Sequence, residues 1–390
     1  MITVEAALSQ LFELVTPLES EVVSIDQAYG RILSEPVSAQ RDQPPFAASA
    51  MDGYAVSDQA LPKGLVLDVI GEAVAGKGFN RSVHNGEAVR IFTGAPLPQN
   101  ASKVIIQENV EQIGDTIRIS SPENVATFIR AAGSDFKAGD SIKAPRLLNS
   151  SDIALLAAMN VSKLPVRRKP VVALISTGNE LVMPGQNPTK DQIIASNTYG
   201  LAALLQNHGA TANILPIARD NILSIQTALK FAEGADLIVT IGGASVGDYD
   251  LVAEAAIDIG FKQKFYKVAM RPGKPLMAGC IGGSALIGLP GNPVSAMVCG
   301  HIFLIPVLIA LLGLKKQQRQ RKTAILMSNL DANGRREHYM RASVSSDGIS
   351  IAQQQDSALL SILAKSNALA IRPPFAPAMS KGSEIEYISI

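Results

Sequence analysis

Between residues 171 and 313 apolar runs alternate with helix-like stretches of about a dozen residues, and this alternation restricts the fold more than any other feature. VVALIS (171–176) reads as an uninterrupted apolar strand. ASNTYGLAALLQNHG (195–209) reads as a helix closed by Gly209. ATANILPIA (210–218) is a strand and NILSIQTALKFAEG (221–234) a helix. DLIVTIGG (236–243) is another apolar strand, and YDLVAEAAIDIG (249–260) another helix. KFYKVAM (264–270), GSALIGLPG (283–291) and a final long helix complete the series. Strands lacking polar alternation are buried on both faces, as in a parallel sheet covered by helices. The spacing predicts an α/β domain over residues 166–314 with a doubly wound, mostly parallel sheet.

The flanks differ in kind. Val4, Ala7, Leu8, Leu11, Phe12 and Val15 follow helical spacing, and Pro17 ends that helix. Ser24–Gly30 reads as a helix leading into a turn. Residues 41–165 are rich in Gly, Pro and Asn, with short β-like runs such as YAV, LVLDVIG, EAVRIF, KVIIQENV and TIRIS. Near the end of this stretch NSSDIALLAAMN (149–160) is a helix with Ser or Asp as the expected N-cap. Residues 1–165 are therefore expected to form linker helices and a β-rich domain, closed by the basic linker VRRKP (166–170). KKQQRQRK (315–322) reads as a solvated linker. TAILMS, EHYMRASVS, GISIAQ, ALAIRP and EIEYISI then predict a small β-rich C-terminal domain over 315–390.

Composition removes several classes of function. The net charge is +1 and Trp is absent, so neither a nucleic-acid surface nor a base-stacking platform is expected. Cys280 and Cys299 form no C-x-x-C pair, and His84, His208, His301 and His338 are scattered, so no His/Cys metal site is expected. The N-terminus lacks a basic region before its apolar residues and does not read as a secretory signal, which makes a cytoplasmic location the simplest expectation. Val294–Gly313 is apolar and long enough to cross a bilayer. Ser295, Gly300, His301 and Pro306 interrupt it, however, and it follows an α/β turn. It is expected to be a buried helix, with no membrane partner.

Ligands of open parallel sheets bind beyond the carboxyl ends of the strands. Glu180 follows the first strand, and Asp220 the second. Gly242, Gly243, Ser245 and Gly247 follow the third, with Asp250 just beyond. Arg271 and Lys274 flank the Pro-Gly turn of RPGKP, and Pro290, Gly291, Asn292, Pro293 and Ser295 form a turn into the last helix. Each has an ordinary structural role when taken alone, as a cap, a turn or a surface charge. Together they place carboxylates, cations and glycine-rich backbone on one edge. Glu180, Asp220 and Asp250 supply hard oxygens suited to Mg²⁺. Arg271, Lys274, the glycine loops, the helix start and the Ser295 hydroxyl are expected to contact oxyanions. No G-x-G-x-x-G and no Walker lysine is present, and no histidine lies in these loops. Dinucleotide binding, P-loop NTPase chemistry and a Ser-His-Asp triad are therefore not supported.

SAMDGYAV (49–56), FTGAPLP (92–98), STGNEL (176–181), GGASVGDYD (242–250), RPGKP (271–275) and LPGNPVSA (289–296) occur in this order. Over essentially the whole chain they resemble the molybdopterin molybdenumtransferase family, which includes MoeA and the E domain of gephyrin. The resemblance implies an enzyme of molybdenum cofactor biosynthesis that inserts molybdate into adenylylated molybdopterin and releases AMP, with Mg²⁺ required. It also implies an elongated homodimer with a small C-terminal β-barrel in each subunit, and a cleft shared between subunits. Position by position, the resemblance implies functional roles for Asp52, Thr93, Glu180, Asp220, Asp250, Pro290 and Pro293. Glu180 and Asp250 are the expected Mg²⁺ ligands. A molybdopterin adenylyltransferase and molybdoenzyme-maturation proteins are the implied partners. The chain departs from the family pattern at FAAS (46–49), at Asn179 where Asp is usual, and at Ala131 and Ala132 where basic residues are frequent. The alternatives are a non-catalytic molybdopterin-binding scaffold and a molybdopterin adenylyltransferase.

Overall fold

The computed structural model describes residues 1–57, 60–121, 126–243 and 251–390. The chain divides into two compact units. The first comprises Met1–Glu21, Gly30–Ser34 and Val166–Ile390, and the second Val22–Tyr29 and Glu35–Pro165. The expected domain 1–165 is thus divided, and the reason is the apolar stripe of helix α1 (Val4–Glu13). Val4, Ala7, Leu8 and Leu11 are buried in the same core as Val307, Leu308 and Leu311. The Thr3 hydroxyl accepts the Ala6 amide at 3.1 Å and caps this helix.

The 315–322 run is more than a solvated linker. The Lys316 ammonium donates to the carbonyl of Val15 at 2.9 Å, just beyond α1. Arg319 bonds His301 Nδ1 at 3.0 Å, and Arg321 pairs with Glu337 at 3.1 Å and Glu386 at 2.9 Å. Long basic side chains can bury their stems while their charged ends reach carbonyls and carboxylates.

The first unit contains a six-stranded sheet. Its strands are β1 (Val171–Ser176), β2 (Thr211–Ile214), β3 (Leu237–Ile241), β4 (Lys262–Tyr266), β5 (Met277–Ile281) and β6 (Ser284–Leu289), in the order β2-β1-β3-β6-β5-β4. The four strands β2, β1, β3 and β6 are parallel, and β5 and β4 are antiparallel additions. Gly282 and Gly283, with φ of 55° and 89°, make the two-residue hairpin between β5 and β6. The sheet is therefore mixed, and KFYKVAM is not one strand. Residues up to Tyr266 belong to the antiparallel edge, whereas Met270–Arg271 pairs in parallel with Glu337–His338 in another sheet.

Alternation along β1 explains its apolar run. Val172 and Leu174 enter one core with α1, α2 (Asn197–Asn207) and the helical run Pro293–Leu311. Ala173 and Ile175 enter a second core with α3 (Ile222–Phe231) and α4 (Leu251–Asp258). Pro293–Leu311 is the one helix among the described residues long and apolar enough to cross a membrane, and it is mostly buried in the protein. A π turn at Gly300–Leu304 precedes Pro306, whose missing N–H and bulky ring disfavour a regular ladder there.

The C-terminal sheet runs Met270–Arg271, Glu337–Ser345, Ala368–Arg372, Glu384–Ser389, Lys322–Ile325, with Gly348–Ile351 paired to Glu337–Ser345. An isolated bridge joins Leu326 to Ile349.

The second unit holds another six-stranded sheet, in the order Lys103–Ile106, Gly53–Val56, Glu87–Ile91, Val66–Ala73, Thr116–Ile119, Val110–Ile113. Its helix Ser150–Ala158 is capped by Asn149, not by the expected Ser or Asp. Asp152 instead occupies the third helical position and completes a reciprocal capping box with Asn149, each bond being 3.0 Å. Ser24–Gly30 contains only a single 3₁₀ turn, Ile25–Gln27.

Candidate functional site

A cleft of about 850 Å³ opens beyond the carboxyl ends of β1, β3 and β6. The loops leave the sheet from a common edge because each begins by bonding to its neighbour. Thr177 N donates to Ile241 O at 3.0 Å, Gly178 N to Ala218 O at 3.1 Å, and Gly242 N to Leu289 O at 3.1 Å. Gly242 has φ of 96°, and a Cβ there would lie 2.6 Å from the Thr177 carbonyl oxygen. Only glycine fits this close approach without displacing backbone.

Glu180 and Asp220 both line the cleft. The two loops that carry them are joined reciprocally. Asn179 N donates to Asp220 Oδ2, and Asp220 N to Asn179 Oδ1, each at 3.1 Å. Arg219 Nη1 adds bonds to the carbonyls of Gly178 (3.3 Å), Asn179 (3.1 Å) and Leu181 (3.1 Å). The amide at Asn179 thus fastens the loop without setting a second carboxylate beside Asp220. The Glu180 carboxylate lies over Gly178, where an added Cβ would come within 2.6 Å of Oε2.

Gly242, Gly243, Pro290, Gly291, Asn292 and Pro293 also line the cleft, as the strand-end reading expects. A Cβ on Gly291 would stand 3.5 Å from the Gly242 Cα, so these two loops touch. Ser245, Gly247 and Asp250 lie outside the described residues.

Three expected oxyanion contacts, Ser295, Arg271 and Lys274, are not among the residues that line the cleft. Ser295 is buried and does not line the cleft. The helix start also offers fewer free donors than its sequence suggests. Pro293 has none, Val294 N donates to Ser357 O at 3.0 Å, and Ala296 N to Asn292 O at 3.0 Å. Arg271 and Lys274 are not among the lining residues either, although Pro275 is. Arg271 stands near the buried His338. Burial, followed by the charges of Arg271, Arg341, Arg336 and Arg372, pushes the pKa of that imidazole down to about 4. The pairing of Met270–Arg271 with Glu337–His338 draws this cation into the C-terminal sheet.

Other groups at the cleft were not singled out by the sequence reading. Thr177 lines it, is 4% exposed, and its hydroxyl has no hydrogen-bond partner among the described residues. A buried hydroxyl left unpaired beside a cleft is available to a ligand. Ser196 and Asn197 open the α2 N-terminus onto the cleft, with no side-chain cap at Ser196. The Asn197 amide donates to Gly291 O at 2.7 Å and ties that helix start to the Pro290–Pro293 turn. Ser196 immediately before the helix is a sequence signal that could have located this end.

The second unit brings Asp52 and Thr93 together by itself. Asp52 Oδ1 accepts from Thr93 N at 2.7 Å and from Thr93 Oγ1 at 2.8 Å. The Thr93 amide first, and then its hydroxyl, hold the Asp52 pKa below the ordinary carboxylate value, with a smaller contribution from Arg90. Arg90 is itself fixed between the Tyr54 and Phe92 rings, at 5.0 and 4.7 Å from their centroids, and donates to Gly53 O at 3.2 Å. Because the folded pKa is depressed, any stability from Asp52 is present above its unfolded pKa and is lost as pH falls through the folded value. Thr93→Val removes the hydroxyl but keeps the amide, so it should raise the Asp52 pKa part of the way toward normal. A carboxyl-carbon NMR titration reads this directly, and an unmoved midpoint would mean the hydroxyl does not contribute.

Among the described residues no cluster of three or more His, Cys, Asp or Glu side chains could hold a metal. The two carboxylates of Glu180 and Asp220 still suit Mg²⁺, which commonly binds through one or two carboxylates and keeps water as its other ligands.

Three family models tile the chain. The MoeA N-terminal region (domain I and II) matches residues 2–160, a probable molybdopterin binding domain matches 173–310, and the MoeA C-terminal region (domain IV) matches 323–390. The chain is 34% identical to a molybdopterin molybdenumtransferase of Nostoc sp., over 97% of this chain and 92% of that one. It is also 34% identical to a molybdopterin molybdenumtransferase of Haemophilus influenzae, over 82% of this chain and 80% of the other. A crystal structure of a molybdopterin biosynthesis MoeA protein from Pyrococcus horikoshii OT3 superimposes with a TM-score of 0.86 at 26% identity, covering 100% of both chains. With its three regions matched in order and its identity to these relatives extending over most of its length, the chain belongs to the MoeA family.

Proposed function

We propose that this protein is a molybdopterin molybdenumtransferase, which inserts molybdate into adenylylated molybdopterin and releases AMP with the help of Mg²⁺. The observation that carries this reading is the cleft. The reciprocal Asn179–Asp220 pair holds two carboxylate-bearing loops at the rim of a strand-end cleft, and its lining includes glycine backbone and the unpartnered Thr177 hydroxyl. That combination suits a ligand with several phosphate oxygens. In this reading Thr177 Oγ1 donates to a phosphate oxygen, and the open α2 start favours the negative charge. Glu180 would hold Mg²⁺ with Asp250, the pair the family resemblance implies, and Asp220 at the cleft rim could supply a further oxygen. When bound, the ion would neutralise charge on the departing phosphate. An oxygen nucleophile, water or a molybdate oxygen, bonds to phosphorus as the phosphoanhydride P–O bond breaks, and AMP leaves. The substrate's own dithiolene sulfurs take up molybdenum, so the protein mainly positions and polarises.

The reading extends to a homodimer in the cytoplasm that receives its substrate from an adenylyltransferase and passes its product to maturation proteins. In its support, the long apolar helix Pro293–Leu311 is a core helix. The test supplies purified protein with adenylylated molybdopterin, molybdate and Mg²⁺, and follows AMP. Molybdate-stimulated AMP release is expected, and its absence would overturn the assignment. Consumption of ATP with molybdopterin would favour the adenylyltransferase, and tight binding without turnover would favour a scaffold.

A further inference from the structure

One wall of the cleft is apolar in a way that the core does not require. Two short strands, Leu181–Val182 and Ile193–Ile194, pair in parallel, with Leu181 opposite Ile193 and Val182 opposite Ile194. Ile193 is 58% exposed and Ile194 38%, and both line the cleft together with Leu181. Scattered exposed apolar residues are ordinary, whereas adjacent ones gathered on a cleft wall mark a contact surface.

The lip is held firmly. Ile193 N donates to Glu180 O and Ala195 N to Val182 O, each at 2.9 Å. Its glutamines are occupied within its own turns. Gln186 Oε1 accepts the Met183 amide and Gln192 Oε1 the Thr189 amide, each at 3.0 Å. Both isoleucines line the cleft, and so does the Thr177 hydroxyl, which has no partner among the described residues. The cleft therefore has an apolar wall as well as groups for an anion.

We propose that the Ile193–Ile194 lip is a ring-binding wall, which takes a flat, uncharged heteroaromatic ring whose attached phosphate is held near Thr177. The inference rests on the proposed function, whose substrate carries a flat aromatic adenine and, as the other candidate for this wall, a reduced pterin. Aliphatic side chains cover the face of such a ring and remove it from water without requiring a hydrogen-bond pattern. The wall accordingly contributes affinity for the ring, while the anion contacts set its position.

Calorimetric titration of the full chain tests this with three probes: AMP, ribose 5-phosphate (the same anion without its base) and 6-hydroxymethylpterin. The variants are Ile193→Ser and the conservative Ile193→Leu, with thermal unfolding confirming that each is folded. Wild-type protein should bind AMP more tightly than ribose 5-phosphate. Ile193→Ser should weaken AMP by about tenfold, which is about 1.4 kcal/mol. It should leave ribose 5-phosphate unchanged, and Ile193→Leu should restore AMP binding. A loss confined to the pterin probe supports the wall equally and assigns it to the other ring. Equal losses for AMP and ribose 5-phosphate, or no loss for either ring-bearing probe, overturn the proposal. So does a wild type that binds neither ring better than the bare sugar phosphate. Because these are binding measurements, they stay readable if molybdate-stimulated AMP release is not found.

Discussion

Glu180→Gln is expected to lower molybdate-stimulated AMP release by about 10²–10³-fold, the scale on which loss of a charge-stabilising group at a reacting centre is felt. The substitution keeps the size of the side chain and removes its charge. Glu180 is exposed, and its backbone carbonyl, which accepts Ile193 N at 2.9 Å, is untouched. Thermal unfolding should therefore be unchanged, so a slow variant reports chemistry and not folding. Reciprocal bonding of Asn179 with Asp220 should also hold the loop where it is. The effect should fall on kcat more than on KM, because the carboxylate is asked to act where charge develops. A wild-type rate in the Gln variant would remove Glu180 from the chemistry, whatever its place in the cleft.

Gly53→Ala is expected to be the most damaging single-methyl change in the second unit. Gly53 pairs with Ile91 on one side and Ile106 on the other. A Cβ at Gly53 would stand 1.9 Å from the Ile105 carbonyl oxygen and 2.8 Å from its carbon. Both atoms are backbone, so no flexible side chain can move aside, and the strands themselves must separate. The expected cost is roughly 3 kcal/mol, at the high end for overpacking. That corresponds to a fall of about 10 °C in the unfolding temperature of this unit. Asp52 should be disturbed as well, since Gln107 N donates to its carbonyl at 3.1 Å from the neighbouring segment. Calorimetry on the full chain reads this, and a shift below about 2 °C would show that the sheet relaxes more easily than its pairing implies.

The glycine of MDGYA therefore has a plain steric reason to be glycine, while the aspartate before it is positioned by Thr93. The motif reading in the sequence brought Asp52 and Thr93 forward only through resemblance, because turn-like spacing alone gives both residues ordinary roles. Glu180 and Asp220 were legible in a stronger sense. Apolar strands of a parallel sheet all end on one edge, so polar residues just past those ends must meet there. Arg271 obeyed the same rule in sequence but is drawn into another sheet in space. After Tyr266 the chain leaves the first sheet and joins another at Met270–Arg271. Strand counting along the sequence does not reveal such an exchange. Ser295 failed for a different reason. It follows Pro293 by two residues, and at that point the helix directs it into the core.

By itself the sequence determined the α/β alternation of residues 171–313, the strand-end position of Glu180 and Asp220 and the glycine-proline turn before the last helix. Each of these follows from local periodicity or from backbone conformations that few residues can adopt. Tertiary structure alone decided that the sheet is mixed, that α1 packs in the unit of the C-terminal helical run, and that the basic 315–322 run fastens other segments. It also decided that Thr177 and an isoleucine lip line the cleft. Those outcomes depend on which distant surfaces are buried against each other, and burial between segments far apart in the chain leaves no periodic mark on either one.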